Sequence, residues 1–246
     1  MARQSLLVTP SYRDADRLAV FGPALARTLA DAKMNIRWVM ADDGSGRTEV
    51  EKLNRLCQQL QAVYPKVEVF SPGRHLGKGG IIHQVWRSSH EDEWLCFIDA
   101  DGSVDGETFV TLLKEAQQAG KGNAIIGSRR ESPETKVTQT AFRRLSHKIM
   151  GLLIQMALDL PVIDTQCGAK CIHSENYRAI EPILIEPGLL FDSELLLALA
   201  DSGVKLVEIP VNWIEKPGGT VSPLRDAIPM LWSLVKLRRR LRAGKI

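Results

Sequence analysis

Trp94-Leu95-Cys96-Phe97-Ile98-Asp99-Ala100-Asp101 decides the reading of this chain. A short apolar run of this composition reads as a buried strand, and two carboxylates follow at its carboxyl end. Open α/β sheets bind their ligands at that end. Two acids one residue apart can share a hard divalent cation, Mg²⁺ or Mn²⁺, which in turn neutralises a nucleotide diphosphate. The same residues also suit a plain turn, because aspartates gather in turns for conformational reasons. The rest of the chain has to choose between the two.

Working outward, strand-like stretches lie at 5–9, 36–41, 67–70, 94–98 and 124–127, with amphipathic helical stretches between most of them. That alternation predicts an α/β fold with a mostly parallel sheet flanked by helices. Polar and glycine-rich motifs follow the strands in order. Pro10-Ser11-Tyr12-Arg13-Asp14 follows the first, Asp42-Asp43-Gly44-Ser45 the second, His75-Leu76-Gly77-Lys78-Gly79-Gly80 the third and Asp99-Ala100-Asp101 the fourth. Such a series is what a nucleotide crevice built from successive strand-to-helix turns looks like. Asp42 or Asp43 suits a uracil edge or ribose hydroxyl, and equally an Asx turn capping a helix. Gly77, Gly79 and Gly80 allow close backbone approach, and Lys78 supplies a point charge for phosphate. The spacing is not that of a Walker loop, so an ATPase is not indicated.

The 246 residues suffice for one large α/β domain with a substantial core, and 44% hydrophobic with 25% charged residues is an ordinary globular balance. Residues 1–215 read as the main domain and 216–246 as a C-terminal basic, amphipathic helical extension of it. The N-terminal residues lack a signal-peptide core, which points to a cytoplasmic location. Cys57, Cys96, Cys167 and Cys171 show no paired metal-ligand spacing and read as reduced thiols. Net charge is only +3, but six basic residues fall between Lys236 and Lys245, directly after the apolar stretch 228–235. An apolar stripe beside a basic cluster fits peripheral contact with an anionic membrane better than nucleic acid, the bland alternative being a solvated last helix. A second helical stripe runs through Phe142, Leu145, Ile149, Leu152, Leu153 and Met156, suited either to a membrane interface or to the core. Gln155 and Asp159 interrupt it, so no stretch approaches the ~20 apolar residues of a membrane span.

Taken in order, Pro10-Ser-Tyr, Asp42-Asp-Gly-Ser, Gly77-Lys-Gly-Gly, Asp99-Ala-Asp and Gly127-Ser-Arg resemble the family 2 inverting glycosyltransferases of the GT-A fold. Asp164-Thr-Gln-Cys-Gly-Ala-Lys170, Phe191-Asp-Ser-Glu-Leu195 and Glu208-Ile-Pro-Val-Asn-Trp213 narrow the resemblance to dolichyl-phosphate β-glucosyltransferases and, more broadly, polyprenyl-phosphate glycosyltransferases. The resemblance implies a nucleotide-sugar donor, with UDP-glucose favoured, and a polyprenyl-phosphate acceptor. It assigns Pro10, Tyr12, Asp42, Lys78, Asp99 and Asp101 to the donor, with Asp99 and Asp101 around Mg²⁺ or Mn²⁺. Arg129, Arg143, Arg144 and Ser146 become candidates for the acceptor phosphate, Arg129 and Asp192 the candidate catalytic residues, and Asp192 with Glu194 an acidic pair facing sugar or acceptor.

Two departures stand out. The family's Gly-Ser-Lys after the Trp-containing strand is replaced here by Gly218-Gly219-Thr220, leaving Lys216 as a substitute phosphate contact, and Gly102-Ser103 stands where mannose synthases carry a metal-binding glutamine. An acceptor phosphate is already an anion near neutral pH and needs no strong base, whereas a hydroxyl acceptor would call on Asp192. A family 2 enzyme with another donor and a non-lipid acceptor, and a non-catalytic nucleotide-sugar-binding protein, are the alternatives.

Overall fold

The computed structural model describes residues 4–89, 93–218 and 223–244. Gly219, Thr220 and Lys245, named above, lie outside the described residues. The central sheet has seven strands in the order β3-β2-β1-β4-β7-β5-β8. They are β1 (Ser5–Ser11), β2 (Ile36–Asp42), β3 (Val67–Phe70), β4 (Trp94–Ile98), β5 (Asn123–Ser128), β7 (Ala169–His173) and β8 (Lys205–Pro210). All pair in parallel except β7, which runs antiparallel to both β4 and β5. A small parallel pair, β6 (Val137–Thr138) and β9 (Trp213–Ile214), stands apart from it.

Successive side chains of a strand point to opposite faces, and the core divides accordingly. Leu7, Trp38, Met40, Cys96 and Ile98 face α1 (Ala15–Asp31), α2 (Arg47–Gln61) and α4 (Gly106–Ala119). Leu6, Val8, Val39, Leu95 and Phe97 face α3 (Lys78–Arg87), α6 (Ser174–Ile180) and α7 (Phe191–Asp201). All five residues of β4 are buried, as the apolar run requires. The chain builds β2 and β3 on one side of β1 and then crosses to place β4 on the other. The carboxyl ends of β1 and β4 therefore flank the point where strand order reverses, which is where such sheets leave a crevice.

Two long helices cover one end of this crevice. In α5 (Ala141–Leu158), begun by Thr140 whose hydroxyl accepts the Arg143 N–H, only Ile154 and Leu158 are buried. Phe142, Leu145, Ile149, Leu152 and Met156 are each more than half exposed, so the stripe read from the sequence faces outward, and Leu153 alone of that set leans on the core. The last helix, α8 (Pro223–Arg242), packs against α5 and buries Leu234 and Leu237, leaving Ile228, Leu231, Trp232 and Val235 exposed. It is docked rather than simply solvated. No helix among the described residues is long and apolar enough to cross a membrane.

Candidate active site

A cleft of about 620 Å³ opens at the carboxyl ends of β1 and β4 and extends between α5 and α8. Pro10, Ser11 and Tyr12 form its wall at the end of β1, and the Tyr12 ring lies 4.4 Å from the His75 imidazole, centroid to centroid. His75 is held by Asp43, with Nδ1 3.0 Å from Oδ2. Asp43 also accepts the Leu76 N–H, and burial pushes its carboxyl above the usual range. Of the two adjacent acids it is Asp43 that reaches the cleft. Asp42 turns the other way and spends its carboxylate on the N–H groups of Gly44 and Ser45 and on the Ser71 hydroxyl, which is the Asx-turn alternative.

Gly77 and Gly79 open α3, and their lack of a side chain serves packing. A Cβ on Gly77, whose φ is +82°, would stand 2.3 Å from the Pro187 carbonyl oxygen, and one on Gly79 would stand 2.3 Å from the Phe191 Cβ. This close seating of α3 against α7 sends Lys78 into the cleft. Its Nζ lies 2.6 Å from Asp99 Oδ1 and about 5 Å above the Phe97 ring. Burial alone would lower the Lys78 pKa, but Asp99 and Asp192 outweigh it and hold the ammonium above its ordinary value.

Asp99 hangs from the end of β4, its N–H donating to the Gly168 carbonyl. A Cβ at residue 168 would fall 2.0 Å from Asp99 Oδ2, so Gly168 is the cradle in which that carboxylate sits. Asp101 is turned by the Ser103 N–H, which donates to Oδ1, and its Oδ2 lies 3.0 Å from Arg17 Nη2. Asp192, at the start of α7, lines the cleft and pairs at 2.5 Å with Lys170, a fully buried lysine that also donates to the Cys167 carbonyl. Burial raises the Asp192 pKa against the opposing pull of Lys170 and Lys78. Glu194 faces neither cleft nor solvent. Completely buried, it accepts the N–H groups of Ile185 and Glu186 and pairs with Arg240 of α8.

On the α5 side, Arg129 follows β5 and is gripped by Asp164 through Nε at 2.8 Å and Nη2 at 2.7 Å. The remaining nitrogen, Nη1, lies 3.2 Å from His147, and the guanidinium sits over the Trp213 ring. Burial together with Arg129 and Arg143 depresses the His147 pKa to about 3, so the imidazole is neutral and free to accept from Arg129. Although burial works the other way, the Arg129 guanidinium holds Asp164 down at about 2. Arg143, Ser146, His147 and Met150 line the cleft at the i, i+3, i+4, i+7 spacing of one helix face. Arg144 is displaced from that face by one residue and points to Glu131 outside the cleft. Lys216 lies on the cleft wall. All four cysteines are buried and outside any disulfide, and burial pushes the Cys167 thiol up to about 12, which suits packing rather than nucleophilic work.

Asp14, Arg17, His75, His147 and Asp164 had no site role in the sequence reading. Asp14, His75 and Asp164 carried a signal as members of quoted motifs; Arg17 and His147 sit in runs whose periodicity reads as plain helix.

A crevice at the switch point of a mostly parallel sheet, lined by strand-end carboxylates and lysine, is the architecture of the GT-A fold. The sequence model described as Glycosyl transferase family 2 matches residues 7–177, and the chain belongs to that family as a glycosyltransferase. Among curated proteins it is 26% identical over 246 residues to the dolichyl-phosphate beta-glucosyltransferase of Saccharomyces cerevisiae, covering 94% of this chain and 73% of that one. The human protein of the same name is 29% identical over 252 residues, covering 98% and 77%. Among solved structures, glucosyl-3-phosphoglycerate synthase of Mycobacterium tuberculosis in complex with Mn²⁺, UDP and glucosyl-3-phosphoglycerate superposes with a TM-score of 0.63 at 15% identity, covering 95% and 80%. That enzyme with Mg²⁺ and UDP gives 0.63 at 14% identity, covering 95% and 79%. Both share the fold.

Proposed function

We propose that this glycosyltransferase moves glucose from UDP-glucose onto a polyprenyl phosphate of the dolichyl type, with inversion at the anomeric carbon and with Mg²⁺ or Mn²⁺. The observation that carries the reading is the bipartite cleft. Carboxylates and lysine stand at the strand ends, and a guanidinium held by Asp164 faces a helix whose outer surface is apolar. The relatives named for dolichyl phosphate support the acceptor.

Asp99 and Asp101 fit a hard cation. Both offer carboxylate oxygens to the cleft, both draw a positive group, and Gly168 leaves the room that the Asp99 carboxylate needs. Mg²⁺ held there supplies positive charge for the departing diphosphate. Tyr12 and His75 offer the base a stacking surface, with Asp43 behind the imidazole. Lys78 and Lys216 bring point charges to the phosphates. With Nε and one Nη2 hydrogen on Asp164 and one Nη1 hydrogen on His147, Arg129 retains one hydrogen on each Nη for the acceptor phosphate, and Arg143 and Ser146 stand beside it on α5. A phosphate oxygen attacks the anomeric carbon, the bond to the β-phosphate oxygen breaks, and its electron pair leaves with the nucleoside diphosphate. Positioning of two anions does most of the work, and Asp192 accepts from the sugar hydroxyls at the centre of the cleft.

The exposed apolar residues of α5 and α8, beside Arg143, Arg144, Lys148 and the basic end of α8, support a reading in which this enzyme sits peripherally on an anionic membrane face. Residues 216–246 then serve as part of the same domain, with Arg240 tying α8 to Glu194. A donor panel of UDP-glucose, GDP-mannose and UDP-N-acetylglucosamine against polyprenyl phosphate tests the reading. Lipid-linked glucose, dependent on divalent metal, is the expected product. Nucleoside diphosphate released without any lipid-linked sugar would transfer the reading to a non-lipid acceptor, and donor binding without turnover would leave a binding protein.

A further inference from the structure

Arg17 has no part in the reading above, yet its guanidinium sits where the two families of charge meet. It stands on the first turn of α1 and bridges two carboxylates. Nη2 lies 3.0 Å from Asp101 Oδ2, while Nη1 lies 3.2 and 3.4 Å from the two oxygens of Asp14, three residues earlier. Lys78 makes the equivalent contact with Asp99. Each acid of the pair thus carries an internal cation, and that on Asp101 comes with a second carboxylate already attached to it. We propose that Arg17 is a built-in counter-ion that competes with the divalent cation for Asp101, so that metal binds weakly to the free enzyme and firmly only together with the nucleoside diphosphate.

The argument is one of charge. A doubly positive ion at Asp101 repels a guanidinium 3 Å from the same carboxylate oxygen, so the two cannot share it without cost. Asp14 gives Arg17 somewhere to stay when Asp101 is given up, which keeps the exchange from stranding a part-buried charge. A diphosphate brings the negative charge that lets both cations remain in the cleft. Metal and donor therefore favour each other, and the coupling is reciprocal. The inference rests on Asp99 and Asp101 as the metal pair, and on nothing about the acceptor.

The test is Mn²⁺ binding to the full chain, read from the EPR signal of free Mn²⁺, without and with UDP. Arg17→Met is expected to bind Mn²⁺ alone about tenfold more tightly than the parent, and to lose about the same factor from the tightening that UDP produces. Arg13→Met, which removes a charge lying over the Tyr12 ring, is the control and is expected to leave Mn²⁺ affinity unchanged. Asp14→Asn, which leaves Arg17 with Asp101 as its one acid, is expected to weaken Mn²⁺ binding severalfold in the parent and to have no effect on top of Arg17→Met. Equal affinity of Arg17→Met and parent, both folded by circular dichroism, would overturn the proposal, as would an equal gain from Arg13→Met. Binding of no Mn²⁺ by any of these proteins, with or without UDP, would instead remove the metal pair itself.

Discussion

On the β1–β4 side of the cleft each functional side chain hangs from a strand end or the first turn of the next helix, and its charge is answered by a neighbour: Arg17 for Asp101, Lys78 for Asp99, Lys170 for Asp192. On the α5–α8 side the groups sit on helices whose outer faces expose Leu152, Met156, Ile228 and Trp232. The first side is fixed by a sheet buried on both faces, and the second by Leu234, Leu237, Arg240 and the small β6–β9 pair. The difference teaches that the strand-end side, which we read as the donor side, has its charges paired before any ligand arrives. The helical side, which we read as the acceptor side, exposes an apolar surface.

If that division holds, changes on the two sides should fail in different assays. Asp101→Asn should lower transfer by about 10³-fold, with the melting temperature unchanged, as measured by lipid-linked sugar formation. Lys170→Met removes the hydrogen-bonded partner of the buried Asp192 carboxylate, leaving only the pull of Lys78, and should cost about 3 kcal/mol in denaturant unfolding, whatever the acceptor. Arg129→Lys keeps the charge but loses the two-point grip, so kcat/KM for the lipid phosphate should fall by about 10²-fold while donor affinity stays within about twofold.

Helix α3, packed on the sheet, carries a pH signature through its buried His83. Burial, reinforced by Arg87, depresses the His83 pKa from 6.5 to about 4. The folded state therefore favours the neutral ring, and the unfolded chain binds the proton first. Its contribution is present in full above pH 6.5 and is lost as the pH falls from there to about 4, by about 3 kcal/mol. Unfolding measured across that window should be flatter for His83→Phe. Smallest is the effect expected outside: Leu152→Glu with Trp232→Glu should abolish flotation with anionic vesicles and cut turnover of vesicle-borne acceptor about tenfold, yet leave a short-chain acceptor unaffected.

Legibility in the sequence follows the same division. Strands β1, β2, β4 and β5 fall on the apolar runs because strands buried on both faces cannot disguise themselves, whereas β3 is an edge strand, buried only at Val67, that still coincides with the short stretch 67–70. The antiparallel β7 escaped because Lys170 and His173 break its apolar pattern, and the lysine is there for Asp192. Edge strand β8 alternates Lys205, Glu208 and Pro210 with apolar residues and presents no continuous run. The motifs brought Lys78, Asp99, Asp101, Arg129, Arg143, Ser146 and Asp192 to one cleft. Spacing alone could not tell Asp42 from Asp43, nor Arg143 from Arg144, since a turn and one residue of helix rotation decide which of each pair faces inward. Glu194 reads as a site or surface acid until Arg240, 46 residues away, is seen beside it.

The most direct test of the division is a structure of the enzyme with Mn²⁺, UDP and a short-chain prenyl phosphate, with the metal located by its anomalous scattering. The account predicts Mn²⁺ between Asp99 and Asp101 and the prenyl phosphate on Arg129, Arg143 and Ser146, its chain leaving between α5 and α8. Mn²⁺ elsewhere, or the phosphate seated beside Asp42 with its chain away from the two helices, would contradict it.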